Sequence, residues 1–300
     1  MSNTEYRDPQ FADIDRWPTI DAVEAILDGQ ITALEAIRTT TAAIAVAAET
    51  AAARLSPSVG GRLIYVGAGT SGRVAVQDGV ELGPTFGWPQ QRLGYLLAGG
   101  MAALAHSVEG AEDDETAGRN AVAELRVDSS DVIIAVAASG RTPFTCSVIE
   151  SARAAGALTI AVANNPDTPL LLAAEHRLLA ATGSEIIAGS TRMKAGTAQK
   201  AILNMLSTAI MLRLGRVYKG LMVDMQVSND KLLERAQAMV ALLARCSEQT
   251  AAHALRQTSN DIKAAVLVAM GLTPVVANER LRACGGILRL AIEERAGAAL

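Results

Sequence analysis

Residues 62–81 read Arg62-Leu-Ile-Tyr-Val66, then Gly67-Ala-Gly-Thr-Ser-Gly-Arg73, then Val74-Ala-Val-Gln-Asp-Gly-Val-Glu81. The first run is β-branched and aromatic and predicts a buried strand, and the glycines after it predict a tight turn into a helix. Backbone N–H groups at a helix N-terminus lack an intrahelical partner, and the helix dipole favours negative charge there. This stretch therefore predicts an anion-binding turn, to which Thr70 and Ser71 add hydroxyl donors.

The same glycines, at 67, 69 and 72, match the G-x-G-x-x-G spacing of a dinucleotide-binding turn. Such a site also needs an acidic residue at the end of the second strand, to hold the ribose hydroxyls. The next strand-like run, Gly94-Tyr-Leu-Leu-Ala98, ends in Gly99-Gly100 instead. A nicotinamide or flavin site is therefore the less favoured interpretation, and no cofactor is expected.

Composition narrows the class of protein. The 300 residues are 50% hydrophobic and 3% aromatic, enough for one sizeable core plus a small accessory domain. A formal net charge of -4 without any run of Lys or Arg argues against a nucleic-acid partner. The three cysteines are far apart, and no two of the three histidines stand at ligand spacing. Neither a disulfide framework, a metal site nor a Ser-His-Asp triad is expected.

Targeting signals are also not evident in the sequence. The N-terminal residues are polar and lack the apolar core of a secretory signal. No stretch reaches the roughly 18 to 20 uninterrupted apolar residues of a membrane span. We therefore expect a cytoplasmic protein without a membrane partner.

Strand-like and helix-like segments alternate after Gly61, which predicts an α/β fold with a doubly wound, mainly five-stranded parallel sheet. Strands are expected at 62–66, 94–98, 131–137, 157–163 and 176–181. Helices are expected near 72–80, 100–106, 110–125 and 143–155, and from Thr197 to Leu214.

Helices are also expected before and after this sheet domain in the sequence. Before it, a polar arm at 1–18 leads to a helix at 20–27, capped by Thr19 and stopped near Gly29, and then to an Ala-rich helix at 31–55. After Tyr218 the pattern predicts only helices, at 229–245, 248–257, 260–270 and 274–294. The expected domains are an N-terminal arm with helices (1–55), the α/β domain (56–228), and a long helix with a small helical bundle (229–300).

Three clusters combine hydroxyl, glycine and basic side chains at predicted strand ends or helix starts. Any one of them is also typical of an ordinary turn with a capping Ser or Thr. Together, at the sheet edge where ligands bind in open parallel sheets, they favour a compact phosphate monoester, which takes many donors in a small space. The clusters are Gly69-Thr-Ser-Gly-Arg73, Ala138-Ser-Gly-Arg-Thr142 and Gly189-Ser-Thr-Arg-Met-Lys-Ala-Gly196.

Two glutamates are candidates for acid–base chemistry. Glu81 lies between a predicted helix and an irregular Pro/Gly stretch, where a side chain is able to face a pocket. Glu112 opens a predicted helix, although acidic residues are also common there because they complement the helix dipole.

Five motifs then occur in order along the chain, and with them the chain resembles the N-acetylmuramic acid 6-phosphate etherases of the sugar isomerase (SIS) domain superfamily. The resemblance extends from Arg7-Asp-Pro9 through Leu221-Met-Val-Asp224 to the C-terminal helices, which are similar to that family's ubiquitin-associated-like bundle. The motifs are Gly67-Ala-Gly-Thr-Ser-Gly-Arg73, Asp78-x-x-Glu81-x-x-Pro-Thr-Phe86, Gly110-Ala-Glu-Asp-Asp114, Ala138-Ser-Gly-Arg-Thr-Pro143 and Gly189-Ser-Thr-Arg-Met-Lys-Ala-Gly-Thr-Ala-Gln-Lys200.

The resemblance implies cleavage of the D-lactyl ether of N-acetylmuramic acid 6-phosphate by elimination and hydration, during recovery of cell-wall muropeptides. It implies Glu81 as the proton donor and Glu112 as the base, with the pair more firmly indicated than its division into acid and base. It also implies a homodimer with sites near the subunit boundary. The implied phosphate-binding residues are Thr70, Ser71, Gly72, Ser139, Gly140 and Thr142, and Ser190, Arg192 and Lys194 would meet the lactyl carboxylate or shape their loop.

Two alternatives and one departure accompany this interpretation. SIS domains also serve as sugar-phosphate-binding regulators without catalysis, and as aldose–ketose isomerases that release no lactate. Both glutamates are present here, and no helix-turn-helix or basic arm precedes the domain, which favours the etherase over the regulator. The family pattern Asp-Ala-Ser-Glu-Cys-Pro-Pro is replaced by Asp78-Gly-Val-Glu-Leu-Gly-Pro84, and Gly83 is expected to loosen the loop beside Glu81.

Overall fold

The computed structural model describes residues 3–106 and 108–297, and the chain divides into two compact units. The first unit contains Met1–Gly79 and Gln91–Ala209, and the second contains Val80–Gln90 and Ile210–Leu300. The domain boundaries expected from the sequence stay predictions. The structure adds that residues 80–90, with Glu81, group with the C-terminal helices rather than with the sheet.

The first unit is built on a five-stranded parallel sheet, as the sequence predicts. Each expected strand forms within two residues of its predicted ends, because β-branched runs with both faces covered are strong local signals for buried parallel strands. The strand order is β2-β1-β3-β4-β5. The strands are β1 (Leu63–Gly67), β2 (Leu93–Leu97), β3 (Val132–Ala137), β4 (Leu158–Ala163) and β5 (His176–Leu179).

This order places the switch point of the sheet between β1 and β3. β1 pairs with β2 on one side and with β3 on the other, and Gly67 at its end lies opposite Leu97 and Val136. Connections leave the two neighbouring strands β1 and β3 in opposite directions at such a point, which opens a crevice at their carboxyl ends. The loops after β1 and β3 therefore meet where a ligand is expected.

Helices cover both faces of the sheet, which confirms the doubly wound architecture. On one face, Ile64 and Ile133 pack in a buried cluster with Val122, Phe144 and Leu170. On the other face, the Tyr65 hydroxyl donates to Asp78 at 2.7 Å and Asn204 donates to the same carboxylate at 2.6 Å. The helices involved are α3 (Gly69–Val80), α5 (Glu115–Glu124), α6 (Pro143–Ala154), α7 (Pro169–Ala173) and α8 (Lys194–Arg213).

The N-terminal helices differ from the prediction. α1 spans Thr19–Glu35, with Pro18 rather than Thr19 in the capping position, and it continues through Gly29. One interior glycine costs only about 1 kcal/mol relative to alanine, and here it permits close packing, since a Cβ on Gly29 would lie 3.2 Å from Ile186 Cδ1. A 3-10 turn, Ala36–Thr40, then leads to α2, Thr41–Arg54.

Other helix predictions need smaller corrections. The helix expected at 100–106 is a 3-10 turn, Met101–Leu104, and the one expected at 110–125 is a 3-10 turn, Ala111–Asp113, followed by α5. Two short helices were not predicted, α4 (Leu82–Phe86) and α7, because a five-residue helix carries little periodicity.

The second unit is helical, as expected, with α9 (Asp230–Ala244), α10 (Glu248–Gln257), α11 (Ile262–Ala269), α12 (Pro274–Ala283) and α13 (Leu288–Gly297). The single segment expected at 274–294 is two helices, because Gly285 and Gly286 both have positive φ and break it. Lys263 donates to Asp224 Oδ2 at 2.6 Å within this unit, and burial raises the pKa of Asp224.

One helical stretch in the described chain, Thr19–Arg54, is long and apolar enough to cross a membrane by length and composition, and a bent pair, α11 with α12, would make a second. Charged residues such as Glu35 and Arg38 interrupt the first stretch. Core helices of proteins without any membrane contact pass the same test, so this is weak evidence for a span.

Candidate active site

A cavity of about 430 Å³ opens at the carboxyl ends of β1 and β3 in the first unit. It brings together four of the six predicted phosphate-binding residues and one of the two predicted catalytic glutamates. Its lining consists of Glu5, Ala68, Gly69, Thr70, Ser71, Glu112, Asp113, Ala138, Ser139, Arg141, Thr142, Pro143 and Thr191.

The loop after β1 forms one wall because its glycines permit the turn. Gly69 has a φ of 51° and is the first residue of α3, so Thr70 and Ser71 lie in the first helical turn and face the cavity. Gly72 does not line the cavity. A Cβ on Gly72 would lie 2.9 Å from the Gly67 carbonyl oxygen, so this glycine lets α3 approach β1 closely.

The loop after β3 forms a second wall. Ser139 Oγ accepts a hydrogen bond from the Arg141 backbone N–H at 3.2 Å. Gly140 is buried with a φ of 63°, and a Cβ there would lie 2.6 Å from Thr168 Cβ, so it supports the loop without lining the cavity. Thr142 occupies the N-cap position of α6, but its side chain makes no capping hydrogen bond. Its hydroxyl is therefore available to a ligand.

The sequence predicts that Glu112 opens a helix. In the structure it lies instead in the 3-10 turn Ala111–Asp113, which precedes α5. Asp114 is the residue that caps α5, since its Oδ1 accepts from the Ala117 N–H at 2.8 Å. The exposed Glu112 side chain lines the cavity and also an adjoining cavity of about 230 Å³, whose lining includes Arg73 and His106. The capping contact at the start of α5 is therefore made by Asp114 and not by Glu112.

Glu81 belongs to the second unit. It occupies the N-cap position of α4, its side chain makes no capping hydrogen bond, and it is exposed. The expectation of a loosened loop at Gly83 is wrong, because Gly83 is inside α4 and its carbonyl accepts from Gly87 N–H at 2.8 Å. The pairing of Glu81 with Glu112 stays a prediction.

The third predicted cluster contributes Thr191 to the cavity lining, whereas Ser190, Arg192 and Lys194 are absent from it. Lys194 Nζ donates to the Ser184 carbonyl at 3.0 Å. The N-terminus of α8 is already occupied, because the backbone N–H groups of Lys194 and Ala195 both donate to Glu185 at 2.9 Å. Glu185 is fully buried, and burial raises the pKa of its carboxyl.

Four polar or charged lining residues were not singled out from the sequence: Glu5, Asp113, Arg141 and Thr191. Three of them lie inside the motifs quoted above, so their position in the chain was a usable signal. Glu5 lies in the N-terminal arm, where nothing local indicates a site. Among the described residues, no group of three or more His, Cys, Asp or Glu side chains is arranged to hold a metal ion.

Family models match three parts of the chain. They are described as the glucokinase regulatory protein N-terminal SIS domain (residues 44–153), the SIS domain (115–209) and the C-terminal lid domain of glucokinase regulatory protein (219–271). A solved structure of a proposed phosphosugar isomerase involved in capsule formation from Bacteroides fragilis is similar, with a TM-score of 0.53 and 19% identity over 68% of this chain and 95% of that one. This likeness shows a shared fold.

Curated relatives are similar over nearly the whole chain. N-acetylmuramic acid 6-phosphate etherase from Deinococcus radiodurans is 45% identical over 97% of this chain and 95% of its own length. The enzyme of the same name from Erwinia tasmaniensis is 44% identical over 97% and 94%, and that from Salmonella typhimurium is 43% identical over 97% of both chains. The chain therefore belongs to the N-acetylmuramic acid 6-phosphate etherase family.

Proposed function

We propose that this protein cleaves the D-lactyl ether of N-acetylmuramic acid 6-phosphate, giving N-acetylglucosamine 6-phosphate and D-lactate. The observation that carries the proposal is the cavity at the ends of β1 and β3, where hydroxyl side chains from both loops surround a space beside Glu112. The relatives bearing the etherase name support the substrate.

The phosphate is held by the hydroxyls of Thr70, Ser71, Ser139 and Thr142, which line one cavity. α3 and α6 both begin at this cavity, and the partial positive charge of their N-termini adds to the attraction. Gly72 and Gly140 contribute by shaping the backbone rather than by contact.

The reaction proceeds by elimination from the open-chain sugar, whose C1 aldehyde acidifies the C2 proton. Glu112 removes that proton, a C2–C3 double bond forms, and the C3–O bond breaks with its electron pair going to the lactyl oxygen. Glu81 protonates that oxygen, and D-lactate leaves. Water then adds across the double bond, with its hydroxyl at C3 and a proton at C2. The route requires one ionised carboxylate and one protonated carboxylic acid.

The test is coupled detection of D-lactate after mixing the protein with N-acetylmuramic acid 6-phosphate, with the unphosphorylated sugar as the control substrate. Release from the phosphorylated sugar alone is the expected result. Tight binding of the sugar phosphate without lactate release would instead favour a regulatory protein, the alternative suggested by the glucokinase regulatory protein models.

The two carboxylate roles are separable by isotope exchange. Glu112→Gln should lose both lactate release and exchange of the C2 proton in deuterated water, whereas Glu81→Gln should lose lactate release and keep exchange. Glu115→Gln is the matched control, because Glu115 pairs with Arg119 at 3.0 Å on the exposed surface of α5 and does not line the cavity. Exchange lost in Glu81→Gln and kept in Glu112→Gln would reverse the assignment.

The proposal includes a homodimer. One face of α1 exposes large apolar side chains at helical spacing, which is typical of a surface that a second copy covers. Sedimentation should give a dimer, and a monomer at micromolar concentration would contradict it. The exposed residues are Ile20, Val23, Leu27, Ile31 and Leu34. The cytoplasmic location stays a prediction.

A further inference from the structure

Thr4 anchors the N-terminal arm to the first unit through hydrogen bonds. Thr4 is fully buried. Asn165, which follows β4, donates from Nδ2 to Thr4 Oγ1 at 3.1 Å and accepts from the Thr4 N–H at 3.4 Å. The Gly189 N–H donates to the Thr4 carbonyl at 3.1 Å. A buried polar residue with partners on both its backbone and its side chain fixes the position of its neighbours.

The next residue, Glu5, is thereby held in the cavity that contains the phosphate-binding hydroxyls. Its carboxylate lies against Gly189, since a Cβ on Gly189 would be 2.9 Å from Glu5 Oε2. Gly189 also has a φ of 75°, a conformation that other residues rarely adopt. The loop that contains Gly189 therefore leaves space for the Glu5 side chain.

A carboxylate in this position is unexpected in a phosphate site. It repels a phosphate dianion, and among the described residues that line the cavity Arg141 is the one basic side chain, against Glu5, Glu112 and Asp113. A carboxylate is able only to accept hydrogen bonds, and the groups of a sugar phosphate that donate them are its hydroxyls. Glu5 therefore favours the sugar and opposes the anion.

We propose that Glu5 is a specificity-determining residue, which accepts a hydrogen bond from a sugar hydroxyl close to the phosphate and disfavours phosphate that carries no sugar. This role rests on the proposed function, because it requires that the cavity binds a sugar phosphate. It gives the N-terminal arm a place in substrate selection.

The test compares two ligands, N-acetylglucosamine 6-phosphate and inorganic phosphate, by calorimetric titration of the full chain. Glu5→Gln should bind the sugar phosphate about tenfold more weakly, because a hydrogen bond to a charged acceptor is replaced by a weaker one to a neutral amide oxygen. The same variant should bind inorganic phosphate about two- to fivefold more tightly, because a like charge is removed. These opposite changes are not produced by damage to the fold, which weakens both ligands together.

Two control variants sharpen the comparison. Glu5→Asp keeps the charge and shortens the reach, so it should weaken the sugar phosphate and leave inorganic phosphate unchanged. Glu24→Gln removes an exposed carboxylate on α1 outside the cavity lining and should change neither affinity.

Each remaining outcome counts against a stated claim. If Glu5→Gln binds each ligand with the same affinity as the parent protein, the role of Glu5 is overturned and the proposed function is not. The same holds if Glu5→Gln binds both ligands more weakly. If the parent protein fails to bind N-acetylglucosamine 6-phosphate, the role of Glu5 falls, whereas the proposed function is decided separately by D-lactate release from N-acetylmuramic acid 6-phosphate.

Discussion

Replacing Thr142 by valine should remove a substrate contact without weakening the fold. Thr142 precedes Pro143 at the start of α6, and its hydroxyl makes no capping hydrogen bond. Thr273 precedes Pro274 at the start of α12, and there the hydroxyl accepts from the Val276 N–H at 3.3 Å. The same Thr-Pro sequence thus provides a cap at α12, whereas at α6 its hydroxyl is the proposed ligand contact. Valine is nearly isosteric with threonine at both positions.

The two substitutions should have opposite consequences. A hydrogen bond to a charged group contributes about 1.5–3 kcal/mol, so Thr142→Val should lower kcat/KM for lactate release about 10- to 150-fold, at about 1.4 kcal/mol for each factor of ten. Its free energy of unfolding should change by less than about 0.5 kcal/mol. Loss of a threonine cap costs about 0.5–2 kcal/mol, so Thr273→Val should be less stable by about that amount, with kcat/KM unchanged.

Urea unfolding and initial rates of D-lactate release, measured on both variants and the parent protein, decide the matter. The reasoning is refuted if Thr142→Val loses as much stability as Thr273→Val while kcat/KM remains at the parent value. That result would mean that the Thr142 hydroxyl caps α6 in solution and does not contact substrate.

Three further predictions concern the core of the first unit. The buried Tyr95 hydroxyl has no hydrogen-bond partner among the described residues, so Tyr95→Phe should raise the free energy of unfolding in urea by about 1 kcal/mol. In contrast, Tyr65→Phe removes a donor to buried Asp78 and should lower the free energy of unfolding by about 1–3 kcal/mol. Burial raises the pKa of Tyr95 from 10.0 to about 12, so between these pH values the folded protein keeps a proton that the unfolded chain loses. The free energy of unfolding should therefore fall as pH rises from about 10 to 12, and it should fall less steeply in Tyr95→Phe. Equal pH dependence of the free energy of unfolding in the two proteins would contradict this. Gly118→Ala would place a Cβ 2.7 Å from the Phe144 carbonyl oxygen. The free energy of unfolding, followed by circular dichroism melting, should therefore fall by about 1–3 kcal/mol. An unchanged melting curve would contradict this.

Local signals explain why the sheet and two of its loops were predictable. A buried parallel strand needs a short apolar, β-branched run, and the turn after it needs glycine. Adjacent residues in the sequence therefore predict both β1 and the loop at Gly67. The switch point then follows from topology, because β1 and β3 are neighbours in the sheet. Helix ends were less predictable, as α1 shows: contacts with distant residues decide whether Gly29 ends a helix.

Other features of the site depend on contacts that sequence order hides. Glu185 caps α8 from nine or more residues away and Thr4 meets Asn165 across 161 residues, and neither pair carries a local pattern. Glu5 enters the cavity only because Thr4 is fastened in this way. A motif search locates residues beside strand ends, whereas a side chain delivered by a remote arm becomes visible only in the folded chain.

The way in which phosphate is held also bears on the proposed chemistry. A lysine or arginine beside a carboxylate lowers its pKa and makes it a weaker base. The cavity instead supplies hydroxyls and two helix N-termini, with Arg141 as the one basic side chain among the described residues that line it. Neutral donors and dipoles attract a dianion without adding further cations beside Glu112. Arg73 and His106 line the adjoining cavity that Glu112 also borders, so the glycine and hydroxyl loops limit basic side chains only within the proposed phosphate cavity, where Arg141 is the exception among the described residues.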